Sequence, residues 1–311
     1  MLLVVADSSG SSPGRAGYKM AVAANGELAG SIGGGVMEVD LVEQSRAILG
    51  TRASLSAASR DGVRMPISEQ VHKKNAVNAS GMICSGKQTV IFKLLLPDDI
   101  EDVRRAADSL KTQQQDRLII TPEEFKVLPR QDEAPSNADI HFERSTGPEF
   151  VYEERLGHKN ILYIIGGGHC ALALSELMSK MDFAIHIFDD RPELNTIAKN
   201  RFADRIAIIE SYENIGDHIT PAENAYVVVM TLGYASDEVV IRKLLGRPFK
   251  YFGVLGSKAK MKTLLNELKK DGSAAEQIDA IHTPIGMPIN SRTPEEIAVS
   301  IAAEIISVKN G

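Results

Sequence analysis

Along this chain the spacing of hydrophobic positions changes halfway. In the second half, short apolar runs bounded by glycine or charge alternate with segments whose apolar residues recur every three or four positions. The runs Ile161–Ile165, Ala184–Phe188, Arg205–Ile209, Tyr226–Thr231 and Tyr251–Leu255 predict strands. Between and after them, Cys170–Met181, Pro192–Lys199, Glu238–Leu245, Lys258–Lys269 and Pro294–Val308 predict helices. Regular strand–helix alternation demands right-handed crossovers and a parallel sheet with helices on both faces. The central strands are almost wholly apolar, as strands buried on two faces must be.

The first half reads differently. Leu2–Ala6 is a short apolar strand, Tyr18–Ala23 and Glu27–Ile32 flank an Asn25-Gly26 hairpin turn, Val36–Leu49 has helical spacing, and Lys87–Leu96 closes the unit as a strand. Asp98–Gln115 predicts an amphipathic helix. Ser56–Ser80, rich in serine, asparagine and charge without a period, reads as a long loop. Proline, serine and asparagine between Asp132 and Pro148 read as an interdomain connector. The expected organisation is an N-terminal α+β domain over 1–131, a linker over 132–158 and an α/β domain over 159–311.

Composition sharpens this picture by exclusion. At 311 residues, with 43% hydrophobic and 24% charged residues, the chain has the profile of a globular protein of two domains. A net charge of −6 argues against a nucleic-acid partner, because phosphate-tracking proteins carry clustered excess Lys and Arg. No apolar stretch is long enough to span a bilayer, which makes the cytoplasm the default expectation. Two cysteines, Cys84 and Cys170, exclude a disulfide framework and a four-thiolate metal site.

The strongest local motif is Gly166-Gly-Gly168-His-Cys-Ala171, which fits G-x-G-x-x-G/A between a predicted strand and a predicted helix, the context of a Rossmann-like domain. Gly166 permits the sharp turn, and Gly168 lets backbone approach a pyrophosphate at the positive end of the next helix. Asp189 ends the following strand, where an acid commonly binds a ribose hydroxyl, and Arg191 beside it suits a phosphate. His169 reads either as an anion stabiliser or as a helix cap. Cys170, at a helix N-terminus, is expected to have a lowered pKa unless it is a small core residue. Thr231 and Asp237 lie beyond another strand's carboxyl end, and Gly256-Ser257-Lys258 opens a helix after the last strand, so all these positions are expected to line one crevice. A Rossmann-shaped scaffold that binds no nucleotide is the alternative.

Two further glycine loops mark the first half, Gly10–Gly17 and Gly30–Glu38. In the second, Gly33, Gly34 and Gly35 expose backbone amides able to wrap an oxyanion, while Arg15 in the first offers a phosphate fork. Glu38 falls in the first turn of the next helix, where it complements the dipole. Neither loop has the GK[ST] ending of a P-loop.

These loops, together with Gly81-Met-Ile-Cys-Ser-Gly86, GGGH at 166–169, FDDRPE at 188–193, YFGVLGSKAKM at 251–261 and HTPIGMPINSRTPEEIAVSIAAEI at 282–305, resemble in order the xanthine dehydrogenase accessory proteins (XdhC/CoxI). The resemblance implies a chaperone of the molybdenum cofactor, either molybdopterin or its dinucleotide. Cys84 would then contact the cofactor molybdenum as a soft thiolate. It also implies as partners a xanthine dehydrogenase-type apo-enzyme and a cysteine desulfurase, and leaves room for a homodimer. Tyr234 replaces a histidine frequent in that family. The rival reading from the residues is an NAD(P)-dependent oxidoreductase, which lacks a proton-transfer partner beyond His169. A cysteine hydrolase has no motif support.

Overall fold

A computed structural model describes residues 1–53, 67–71, 86–111, 115–129, 139–145, 149–157 and 160–311. Cys84 and most of the segment expected as a long loop lie outside the described residues. The chain forms two compact units, Met1–Gly157 and His158–Gly311.

In the first unit, strands β1 (Leu2–Gly10), β2 (Lys19–Val22), β3 (Leu28–Gly30), β4 (Ile67–Val71) and β5 (Gly86–Lys93) form an antiparallel sheet ordered β3-β2-β1-β5-β4. β1 is its centre, and Leu3, Val4 and Val5 have no exposed surface because both faces are covered. On one face, helix α1 (Gly35–Ala53) packs Met37, Leu41 and Val42 against Leu3, Val5 and Phe92. Helix α2 (Ile100–Ser109) follows β5 after a 3-10 turn.

The other face holds a second sheet that the sequence reading missed. Strands β6 (Arg117–Ile120), β7 (Phe125–Leu128), β8 (Ile140–Arg144) and β9 (Phe150–Arg155) are antiparallel, in the order β7-β6-β9-β8. Leu118, Ile120, Phe125, Phe150 and Tyr152 face Val4, Ala6 and Ile91 of the first sheet. This corrects the linker expected over 132–158: β8 and β9 lie within it. Alternation in Phe150-Val-Tyr-Glu-Glu-Arg155 turns Phe150 and Tyr152 inward while Val151 stays exposed. The strands are too short and too close to Pro- and Ser-rich sequence to dominate a composition reading. β4 likewise corrects the expected loop over Ser56–Ser80, since Ile67–Val71 pairs along β5.

The second unit is the expected doubly wound domain. Its elements are β10 (Asn160–Ile165), α3 (His169–Met178), β11 (Phe183–Asp189), α4 (Asn195–Lys199), β12 (Arg205–Ile208), α5 (Ile215–His218), β13 (Ala222–Val229), α6 (Tyr234–Leu244), β14 (Phe249–Val254), α7 (Lys258–Lys270), α8 (Ala275–Asp279) and α9 (Pro294–Asn310). The sheet is parallel, ordered β12-β11-β10-β13-β14, with α3 and α9 on one face and α6 and α7 on the other. Strand order reverses between β10 and β13. Beyond their carboxyl ends opens the crevice where such sheets bind ligands.

Gly166 makes that crevice possible. Its φ is +106°, and a methyl group there would overlap the Met230 carbonyl oxygen at the end of β13. At Gly168, whose φ is −70°, an added methyl would meet nothing within 4 Å. Gly166→Ala should therefore destabilise the protein by about 3 kcal/mol, combining backbone strain with overpacking, and Gly168→Ala by less than about 0.5 kcal/mol. Paired urea denaturation curves check both values.

Candidate functional site

The first unit brings its glycine loops to one place. Fully buried Gln88 on β5 ties them together: its Oε1 accepts from Ser12 Oγ at 2.9 Å and from the Gly14 amide at 3.2 Å, while its Nε2 donates to the Ile32 carbonyl at 2.8 Å. The three backbones meet without room for a side chain. A methyl at Gly14 would overlap the Ile32 carbonyl, one at Gly33 (φ +127°) would strike Gly14, and one at Gly86 would strike Ser12. The strand that carries Gly86 begins two residues after Cys84 in the sequence. Sequence reading overlooked Gln88, because a single amide in an apolar strand has no motif.

The Gly33-Gly34-Gly35 loop already holds an anion. Glu38 Oε2 accepts from Ser31 Oγ at 2.7 Å, from the Ile32 amide at 2.8 Å and from the Gly34 amide at 3.0 Å. Its role is thus larger than complementing the α1 dipole. Burial pushes its pKa up, but the Ser31 hydroxyl and the Ile32, Gly34 and Gly33 amides outweigh that, and the carboxyl lies below its usual value. Arg15 is exposed and donates to the Gly10 carbonyl at 3.2 Å.

In the second unit two aspartate–cation pairs lie at and beyond the carboxyl ends of β11 and β13. Asp189, with no exposed surface, uses Oδ1 to accept from the Arg191 amide (2.9 Å) and Nε (2.8 Å), and Oδ2 to accept from the Gly167 amide (2.6 Å) and Arg191 Nη2 (2.7 Å). Burial raises its pKa, but the Arg191 and Gly167 hydrogen bonds prevail and hold it low. Across the switch point, Asp237 is equally buried. Its Oδ1 accepts from Thr231 N (3.1 Å) and Oγ1 (2.5 Å), and its Oδ2 from Lys260 Nζ (2.7 Å).

Asp189, Arg191 and the glycine turn thus form one cluster and Thr231, Asp237 and Lys260 another, and two expectations change. Asp189 braces the glycine turn and Arg191 instead of offering a free carboxylate, because burial demands that all its acceptor sites be filled. Cys170 is half-buried, and its thiol pKa is raised by burial and by the Glu295 carboxylate, the opposite direction from that expected at a helix N-terminus. His169, Ser257 and Lys258 are exposed, and Ser257 Oγ caps α7 by accepting from the Lys260 amide. Lys260, two residues past the cation singled out in the sequence, is the one that reaches Asp237. Gly256 is confined by Met261, whose side chain a methyl would strike. Tyr234 bonds to Glu267, and its hydroxyl pKa is pushed up to about 12 by that contact, by burial and by the neighbouring carboxylates. Among the described residues no group of three or more His, Cys, Asp or Glu is placed to hold a metal ion.

The last block also closes on itself. Glu304 of α9 accepts from Tyr251 Oη at 2.5 Å and the Gly286 amide at 2.8 Å, and lies 3.3 Å from His282 Nδ1. One acid thus pins the chain that runs along the outer edge of β14.

Residues 162–305 match the model of the XdhC Rossmann domain, and residues 1–57 match that of the XdhC and CoxI family. The chain belongs to the XdhC/CoxI family. It is 24% identical over 308 residues to the uncharacterized protein YqeB of Escherichia coli strain K12, spanning 98% of this chain and 43% of that protein. To a probable xanthine dehydrogenase subunit of Bacillus subtilis strain 168 it is 29% identical over 170 residues, spanning 54% of this chain and 48% of that one. The chain therefore spans less than half the length of these curated relatives. A crystal structure described as a xanthine dehydrogenase from Bacillus halodurans superposes with a TM-score of 0.70 at 20% identity, over 99% of this chain and 91% of that one, and shares the fold. No helix among the described residues is long and apolar enough to cross a membrane.

Two outcomes are expected. Gln88→Leu should cost about 3 kcal/mol, since it strands the Gly14 amide, the Ser12 hydroxyl and the Ile32 carbonyl without their partner; chemical denaturation measures it. Glu38→Gln should cost about 1 kcal/mol at neutral pH. Because the folded pKa of Glu38 lies below its unfolded value near 4.5, its contribution is present above that pH and is lost as pH falls through the folded pKa. The stability gap between wild type and variant should shrink over that acid range and stay constant above it.

Proposed function

We propose that this chain is an accessory protein that binds the molybdenum cofactor, supports its sulfuration by a cysteine desulfurase and delivers it to a xanthine dehydrogenase-type apo-enzyme. The junction at Gln88 carries the reading. It fastens two amide-rich glycine loops to the strand that follows Cys84, in a chain of the XdhC/CoxI family. The name of the Bacillus subtilis relative supports the client class.

The residues suit an anionic pterin with a soft metal centre. Gly34 and Gly168 both border open space where an added methyl would touch nothing, so a ligand can approach the backbone at both. When bound, the cofactor supplies the metal and its exchangeable oxo or sulfido ligand. For the chain's own part, Cys84 offers a thiolate to that metal, Arg15 offers an exposed cation, and Glu38 fixes the Gly33–Gly35 loop by accepting from the Gly34 amide. In the second unit, Arg191 and Lys260 present cations at the crevice while Asp189 and Asp237 hold them in place. Turnover is not required for such a role. An NAD(P)-dependent oxidoreductase is less well supported, since Asp189 has no acceptor site left for a ribose.

Purified protein should bind molybdopterin in a titration read by absorbance and calorimetry; micromolar NADH binding with no molybdopterin binding would overturn the reading. Cys84→Ala should lower cofactor retention several-fold with an unchanged melting temperature. Retention equal to wild type would remove Cys84 from the site.

A further inference from the structure

We propose that the crevice of the parallel sheet selects its ligand by a phosphomonoester head group, read by Arg191, and rejects a nucleotide presenting an unmodified ribose diol. This rests on the reading of that crevice as the cofactor site and narrows it to one form of ligand.

The argument begins with acceptor capacity. An ionised carboxylate offers about four lone-pair sites, and at Asp189 four donors fill them: two from the Arg191 side chain, the Arg191 amide and the Gly167 amide. A ribose diol bound at this strand end needs a carboxylate to accept from its hydroxyls. To free one site here, either an Arg191 hydrogen bond or a backbone amide must be given up, and one of those amides belongs to the glycine turn itself. Asp237 spends three sites on the Thr231 amide, the Thr231 hydroxyl and Lys260, and its side chain is only 1% exposed.

Polarity follows from burial. In each pair the acid is at most 1% exposed, whereas Arg191 is 30% and Lys260 28% exposed. The face presented to a ligand is therefore the cationic one. Arg191 spends Nε and Nη2 on Asp189, which fixes the guanidinium plane and leaves the Nη1 edge for an incoming oxyanion. A phosphate dianion accepts from such an edge, while a diol finds donors where it needs an acceptor. The neighbouring acid is Asp190, 39% exposed, with Oδ1 3.8 Å from Arg191 Nε. It is the carboxylate able to rescue a diol, so it has its own arm in the test.

The full-length chain is titrated with three fluorescent oxidised pterins: the phosphate-bearing pterin released from a molybdenum enzyme, the same compound after phosphatase treatment, and the nucleotide-bearing form. NADP+ and NAD+ form a second pair, read by calorimetry. The phosphate-bearing pterin should bind at least tenfold more tightly than the other two, and NADP+ at least tenfold more tightly than NAD+. Arg191→Met should erase both preferences. Arg191→Lys, which keeps the ion pair with Asp189 but not the fork, should reduce them several-fold with the melting temperature retained, and Asp190→Asn should leave them in place. Equal or tighter binding of the nucleotide-bearing pterin or of NAD+, a preference that survives both Arg191 variants, or no preference on either scaffold overturns the inference. A phosphate preference on NADP+ without any pterin binding would retain this inference and sink the cofactor reading; pterin binding without a phosphate preference would do the reverse.

Discussion

Where β10 ends, the backbone of Gly166 lies against the Met230 carbonyl at the end of β13, closer than any side chain allows. Around that contact the C-terminal unit is organised. It joins the two strands at which the sheet order reverses, and α3 starts three residues later at His169. The turn is then locked from two sides. Asp189 accepts from the Gly167 amide, and Thr196 Oγ1 donates to the Gly167 carbonyl. Since Asp189 also binds Arg191, the geometry of the turn and the position of the cation are one constraint.

The N-terminal unit solves a similar problem with a neutral group. Its loops meet backbone to backbone at Gly14, Gly33 and Gly86, and the polar groups that such contact buries need partners. Gln88 is suited because its amide both donates and accepts, which no carboxylate or ammonium can do alone. The central strand β1 can be buried on both faces because α1 covers one and the second sheet covers the other.

Internal carboxylates recur where amides cluster. Glu38 occupies the donors of one glycine loop and Asp189 those of another, each held ionised by its hydrogen bonds against the opposing effect of burial. A cluster of amides without an anion is costly to hold together, so these acids organise it in the protein's own fold. They also set the chemistry left over. Glu38 takes up the Ile32 and Gly34 amides of its loop, while Asp189 and Asp237 hold Arg191 and Lys260, the more exposed member of each pair.

The amino-acid sequence by itself determined the parallel sheet, its glycine turn, the loop glycines and the family, because these rest on local signals: apolar runs, helix caps, and residues that only a tight turn tolerates. Thr293, Pro294 and Glu296 announced α9, and a capping box is there. Only the tertiary structure decided the rest. Strands β6 to β9 are short and half-polar, and they become strands by burying Leu118, Phe150 and Tyr152 against a distant sheet. Whether Asp189 faces a ligand or its own chain, whether Lys258 or Lys260 reaches Asp237, and that Gln88 joins two loops through partners up to 76 residues away are matters of long-range hydrogen bonding. No periodicity encodes such pairings, because a partner's identity depends on which backbones the fold brings within three ångströms or so of a buried polar atom.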